Sequence, residues 1–223
     1  TVNVSAITNA NSDVDLSSSS GYTLVNNTSS DQVMSFSNLA YGTDLQMTNG
    51  GANTTFGYAA AGVVGTADSA NLTVQNVTGG AITVNAIETI NLTSAGTVAN
   101  TIGTLTTSTA TTINISGSAG LTLTNGHAAA TIDASGSTGA ISLTQSVAAN
   151  GTSTYTGSSS IDTITVGTNA HTKVTVNTLA GNDSITISNG NALTTDVIDG
   201  GDGTDALTMT IADANQLDAN TTA

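Results

Sequence analysis

Residues 200–208 read Gly200-Gly201-Asp202-Gly203-Thr204-Asp205-Ala206-Leu207-Thr208. They fill every fixed position of a nine-residue pattern, G-G-x-G-x-D-x-U-x, in which U is a large aliphatic residue. Each position has a physical role. The glycines let the backbone turn tightly and expose carbonyl oxygens, and the sixth-position aspartate adds a carboxylate. These are the hard oxygen donors that calcium takes. The aliphatic residue opens a short strand whose side chain points into a stacked core.

The neighbouring sequence extends this reading. Gly181-Asn182-Asp183-Ser184-Ile185-Thr186 repeats the second half of the pattern, and Asp162-Thr163-Ile164-Thr165 repeats its Asp-x-aliphatic end. Asp162, Asp183 and Asp205 therefore recur at 21 and 22 residues, about one coil of a β-solenoid with two short strands per coil. Ligands one coil apart are what a cation held between adjacent coils requires. The expected metal positions are Gly181, Asn182, Asp183, Gly200, Gly201, Asp202, Gly203 and Asp205, with calcium (Ca2+) as the ion. The competing reading makes the same residues ordinary turn formers, because Gly, Asn and Asp tolerate left-handed backbone.

Short alternating runs fill the rest of the chain, among them QVMSF (Gln32 to Phe36), NLTVQNV (Asn71 to Val77), TINIS (Thr112 to Ser116), ISLTQ (Ile141 to Gln145) and KVTVN (Lys173 to Asn177). β-branched Thr, Val and Ile suit strands, and the Gly, Asn, Ser and Asp clusters between runs suit turns. Ile113 to Ile132, Leu123 to Leu143, Ile164 to Ile185 and Ile185 to Leu207 are separated by 19, 20, 21 and 22 residues. A slowly varying period near 20 predicts an all-β parallel solenoid of roughly eleven coils and about 50 Å. The alternative is a set of antiparallel β-sandwich domains. Composition shifts near residue 100. Residues 1–100 read as a less regular β region that either begins the solenoid or precedes it, and residues 101–223 as the solenoid proper, with the calcium turns at its C-terminal end.

Composition narrows the function. The 223 residues hold no Cys, Pro or Trp, one Lys or Arg (Lys173) against 15 acidic residues, and Thr at about one position in five. A formal charge of −14 excludes nucleic acid as a partner, since phosphate binding needs clustered cations. No run of about 18 apolar residues is present, so membrane insertion is not expected. His127 and His171 stand in polar turn contexts and read as surface residues. With no acid–base constellation and no nucleophile elbow, no enzymatic activity is expected. The N-x-S/T sequons, among them Asn71, Asn91 and Asn114, are frequent enough in this composition to arise by chance. The ends, Thr1-Val2-Asn3-Val4 and Asn215-Gln216-Leu217-Asp218, carry no Pro or Lys to protect an open sheet edge and read as interfaces or cut points.

The stretches Gly79 to Gly96 and Gly120 to Ser146, followed by LAGNDSITI and DVIDGGDGTDALTMT, resemble bacterial surface-layer (S-layer) proteins of the Caulobacter type and the related repeats-in-toxin (RTX) proteins. The resemblance spans roughly the last two thirds of the chain, and the nonapeptide is its most specific part. It implies type I secretion, folding on extracellular calcium, and assembly at the cell surface into a two-dimensional coat. The implied partners are copies of the chain itself and cell-surface polysaccharide. The runner-up implication is a stalk or repeat module of a secreted RTX adhesin. One complete and one half copy of the repeat imply a few ions rather than an array.

Overall fold

The structure, a computed structural model, describes residues 1–5, 11–127, 129–145, 151–167, 171–188, 192–210 and 212–214. The expected C-terminal edge at Asn215 to Asp218 lies outside the described residues. In chain order the strands begin with β1 (Val2–Ser5), β2 (Ser12–Asp15), β3 (Leu24–Thr28), β4 (Met34–Leu39), β5 (Asp44–Thr48), β6 (Thr54–Tyr58) and β7 (Ser69–Gln75). The middle of the chain forms β8 (Ala81–Val84), β9 (Thr89–Ala95), β10 (Asn100–Ile102), β11 (Thr104–Thr106), β12 (Thr112–Gly117), β13 (Leu121–His127) and β14 (Thr131–Ser137). The last third forms β15 (Ile141–Gln145), β16 (Thr152–Thr156), β17 (Thr163–Val166), β18 (Lys173–Asn177), β19 (Ser184–Ile187), β20 (Val197–Asp199) and β21 (Ala206–Thr208).

Every described strand pairing is parallel, which excludes the sandwich. Ten strands form one sheet in the order β1-β3-β5-β7-β9-β12-β14-β16-β18-β20. A five-stranded sheet, β11-β8-β6-β4-β2, closes the first half of each coil stack, and a six-stranded sheet, β10-β13-β15-β17-β19-β21, closes the second. The exchange occurs between Asn100 and Thr106, while the ten-stranded sheet runs through that region unbroken.

The result is a β-solenoid of about nine turns with roughly 21 residues per coil, not eleven. The difference comes from uneven coils. Register partners are 19 residues apart from Ile113 to Ile132 but 27 apart from Leu45 to Leu72, where residues 59–68 form a long loop between β6 and β7. At about 4.8 Å per coil, the rod is about 43 Å long.

Alternation puts one residue in two into the interior, and parallel register stacks like on like. Ile90, Ile113, Ile132, Tyr155 and Val176 form one buried column, and Leu123, Leu143, Ile164 and Ile185 another. Each contributes about 1.5–3 kcal/mol of apolar burial. Phe36 and Phe56 stack with centroids 5.4 Å apart and planes inclined by 8°. Outward residues stack as well. Asn114 donates to Asn91 (2.9 Å), Asn91 to Asn71 (3.0 Å) and Asn71 to Asp44 (2.9 Å), a ladder of amides that occupies three of the sequon asparagines. Among the described residues no helix is long and apolar enough to cross a membrane.

Candidate functional site at the corner between two sheets

Three successive six-residue corners carry the chain from the ten-stranded sheet to the six-stranded sheet: residues 157–162, 178–183 and 200–205. Each ends in an aspartate. Pairing of Asn177 with Asp199 and of Ser184 with Ala206 lays the last two corners one upon the other, and a bridge joins Ala180 to Asp202.

The half motif and the full motif take the same path. Each opens with an Asx-turn, in which Asn177 Oδ1 accepts the Leu179 N–H and Asp199 Oδ1 accepts the Gly201 N–H, both at 3.0 Å. Leu179 (φ 68°) matches Gly201 (φ 74°), and Gly181 (φ 152°) matches Gly203 (φ 145°). The corners are tied together by Gly181 N–H to the Asp202 carbonyl (2.9 Å), Asp202 N–H to the Leu179 carbonyl (2.6 Å) and Thr204 N–H to Asn182 Oδ1 (2.9 Å). A Cβ on Gly203 would overlap the Gly181 carbonyl oxygen. Leu179 holds a left-handed conformation that costs an L-residue about 1–2 kcal/mol. Leu179→Asn is therefore expected to raise stability by about 1 kcal/mol, measured as the midpoint of urea unfolding, since Asn already occupies left-handed positions at 38, 49 and 76.

The aspartates form a column in which each carboxylate accepts the backbone N–H of its register partner one coil earlier. Asp162 Oδ1 accepts from Ile141 (2.9 Å), Asp183 Oδ1 from Asp162 (2.7 Å) and Asp205 Oδ1 from Asp183 (2.9 Å). Their surroundings then diverge. Asp162 is fully buried, and its oxygens also accept from the Ser158 hydroxyl (2.7 Å), the Ser158 N–H (2.7 Å) and the Tyr155 hydroxyl (3.4 Å). Burial raises its pKa; the Ser158 and Ile141 hydrogen bonds oppose the rise, and the nearby Asp183 charge adds to it. Tyr155 is pushed well above its ordinary range, chiefly by burial and then by Asp162.

Asp183 is only 1% exposed, yet its Oδ2 has no hydrogen-bond partner. Asp205 and Asp202 are exposed. A Cβ at Gly200 would stand 2.6 Å from Asp205 Oδ2, so the glycine leaves that side of the carboxylate open. Among the described residues no three His, Asp or Glu side chains converge on one point. The acids are arranged as a column, with Asp183 Oδ2 and Asp205 Oδ2 as its uncommitted oxygens.

Sequence reasoning missed several members of this corner. Ser158 and Tyr155 satisfy Asp162, and Thr178, which is buried, donates from Oγ1 to the Gly200 carbonyl (2.9 Å). The Asx residues Asn177 and Asp199 were visible as turn formers two places before a left-handed residue. Nothing in the sequence marks Tyr155 as a carboxylate partner.

The histidines are not on the surface. The His171 and Asp196 side chains are 1% and 2% exposed and lie 3.0 Å apart, with Asp196 also accepting the Val174 N–H (2.7 Å) and Leu193 N–H (2.8 Å). Both residues stand just before strands of the ten-stranded sheet, His171 before β18 and Asp196 before β20, and each side chain covers the other across adjacent coils. His127 is 8% exposed; its Nδ1 accepts the Ala129 N–H (3.0 Å), so Nε2 carries the proton and donates to Thr107 Oγ1 (3.0 Å). Burial lowers its pKa below 6.5. The unfolded chain thus takes up this proton before the folded one does. The stability His127 contributes is complete above about pH 6.5 and is lost as pH falls through the depressed folded value. Relative to His127→Gln, the native chain is expected to lose thermal stability between pH 7 and pH 5, read as the difference between the two Tm-against-pH curves.

A groove of about 410 Å³ in the N-terminal half, on the turns that follow β3, β5 and β7 of the ten-stranded sheet, is lined by Ser29, Ser30, Asp31, Asn49 and Thr78 among others, and Asp31 is its one carboxylate. Compared with family models, with curated proteins and with solved structures, the chain matches none.

Proposed function

We propose that this chain is a structural protein of an extracellular surface layer, a calcium-stabilised rod that assembles with copies of itself into a coat or matrix on the cell. The observation that carries the reading is Asp183 Oδ2, a buried carboxylate oxygen without a partner, one coil from the open carboxylate of Asp205. A buried charge in this state is costly unless a cation or proton meets it. The only Lys or Arg in the chain is Lys173. Asp183 and Asp205 would hold the ion, with carbonyls of the Gly181-Asn182 and Gly200–Gly203 corners and the Asp202 carboxylate as the remaining donors. Calcium supplies positive charge that joins adjacent coils and offsets repulsion within a chain of formal charge −14.

Calcium binding in the range of extracellular modules, a Kd of about 10⁻⁴–10⁻³ M, is expected. At ten to thirty times Kd this stabilises the fold by about 1.5–2 kcal/mol, an increment that a chelator removes. Asp183→Asn with Asp205→Asn keeps an oxygen acceptor for each N–H but deletes both charges. Calorimetry should then show calcium affinity at least tenfold weaker with the fold retained; unchanged affinity would sink the site. Ordered sheets in electron micrographs on calcium addition support the coat. The unbroken ten-stranded sheet favours one second reading, a rigid stalk of a secreted adhesin, for which a calcium-bound chain that stays monomeric is the expected result.

A further inference from the structure

We infer that the outer face of the six-stranded sheet is the surface through which two copies of this chain meet side by side, an inference that rests on the self-assembling reading above. The strands of that sheet hold no Asp, Glu, Lys or Arg, in a chain with 15 acidic residues. The other two sheets do carry outward acids: Asp44 and Asp133 on the ten-stranded sheet, Asp13 and Asp15 on the five-stranded one. Two copies brought together on the ten-stranded sheet would oppose like charges, and on the five-stranded sheet they would do so at its terminal strand β2. Here they do not.

The face is also chemically self-complementary. Parallel register stacks Ser142, Thr163 and Ser184 in one outward column and Thr144, Thr165 and Thr186 in a second. All six are half-buried or exposed, and none of their hydroxyls has a hydrogen-bond partner among the described residues. A hydroxyl both donates and accepts, so such a column can bond to an identical one in either direction. An isologous contact between identical subunits requires this property. The amide ladder on the ten-stranded sheet is different, because each of its amides already spends one N–H on the coil before it. Both copies share one repeat of about 4.8 Å, so rows of one face match rows of the other along their whole length.

Size sets the strength. About six strands at 4.8 Å, each presenting about 13 Å, give roughly 300–400 Å² per copy. A stable dimer needs about 800 Å² per partner. The contact is therefore weak in a pair and becomes persistent when an array repeats it.

The test uses the full chain with calcium, by sedimentation velocity across a concentration series. Thr163→Asp with Thr165→Asp places carboxylates on exposed or half-buried outward positions, and self-association should weaken at least tenfold with circular dichroism and Tm unchanged. Thr112→Asp with Thr131→Asp adds the same charge to the ten-stranded sheet and should leave association as it was. Because the chain has no cysteine, Thr163→Cys gives a clean second readout: a disulfide-linked dimer forms on oxidation, whereas Thr112→Cys stays monomeric. If both double variants assemble like the native chain, the face assignment is overturned while the coat reading stands. If the native chain never self-associates, both fall. Adsorption to insoluble cellulose that the Thr163/Thr165 variant alone loses, with self-association intact, would overturn the inference by assigning the face to glycan.

Discussion

Asp162→Ala lowers the stability of the second half of the rod by about 3–5 kcal/mol. The carboxylate accepts hydrogen bonds from the Ile141 and Ser158 N–H groups, the Ser158 hydroxyl and the Tyr155 hydroxyl, all in a fully buried setting. Deleting it leaves several buried donors without an acceptor, at about 1–3 kcal/mol each and less than additively. Asp162→Asn should recover part of the loss, because its carbonyl can still serve the Ile141 N–H. The raised pKa of Asp162 has a distinct consequence. Burial penalises its charged form, so the penalty is present above the folded pKa and is relieved as pH falls through it. Urea midpoints at pH 7 and pH 4.5 should therefore show a larger gap, in the native chain's favour, over Asp162→Asn at the acidic end. Equal gaps at both values would mean that the group is not titrating in its buried setting.

Gly203→Ala is expected to cost about 2 kcal/mol or more, and to do so locally. The methyl group would overlap the Gly181 carbonyl oxygen, and a φ of 145° is strained for any residue with a Cβ. In a solenoid each coil contacts only its neighbours, so damage stays near its source. Hydrogen exchange should show protection falling in β19 and β21 while β4, β6 and β8 keep theirs. Uniform loss along the chain would indicate a single cooperative unit.

Where side chains repeat in kind, the architecture could be read directly. The 19-, 20-, 21- and 22-residue spacings at Ile113, Leu123, Ile164 and Ile185 are the observed register partners. Strands escaped notice where their inward residues are small, polar or few. Strand β16 points Ser153 and Tyr155 inward, β20 offers only Ile198, and β2 is a SDVD run with one apolar residue. The coil count was overestimated because loops add length without adding a rung, as residues 59–68 do. Nor could periodicity reveal that the strands opposite the ten-stranded sheet fall into two separate sheets. That exchange depends on the geometry of residues 100–106, where two three-residue strands adjoin.

At the corner, the spacing of Asp162, Asp183 and Asp205 foretold their stacking. It could not foretell their unequal fates. Three residues of one type, at one register position, end up saturated, half-satisfied and exposed, because Ser158 and Tyr155 attend only the first and no described coil covers the last. The histidines mislead for a related reason. A polar turn sequence signals water only when the turn projects, and the His171 and His127 side chains are instead covered by Asp196 and Thr107 of neighbouring coils.

The ten-stranded sheet has a mechanical consequence. Its interstrand hydrogen bonds point along the rod, so tension between the two ends loads them one rung at a time instead of shearing many together. Each rung that opens frees roughly 21 residues, which extend to about 70 Å where about 4.8 Å had been. Under force the chain is a coiled tether: it yields at modest load, lengthens about fifteenfold per coil, and leaves the remaining coils as a template on which the freed segment can rewind.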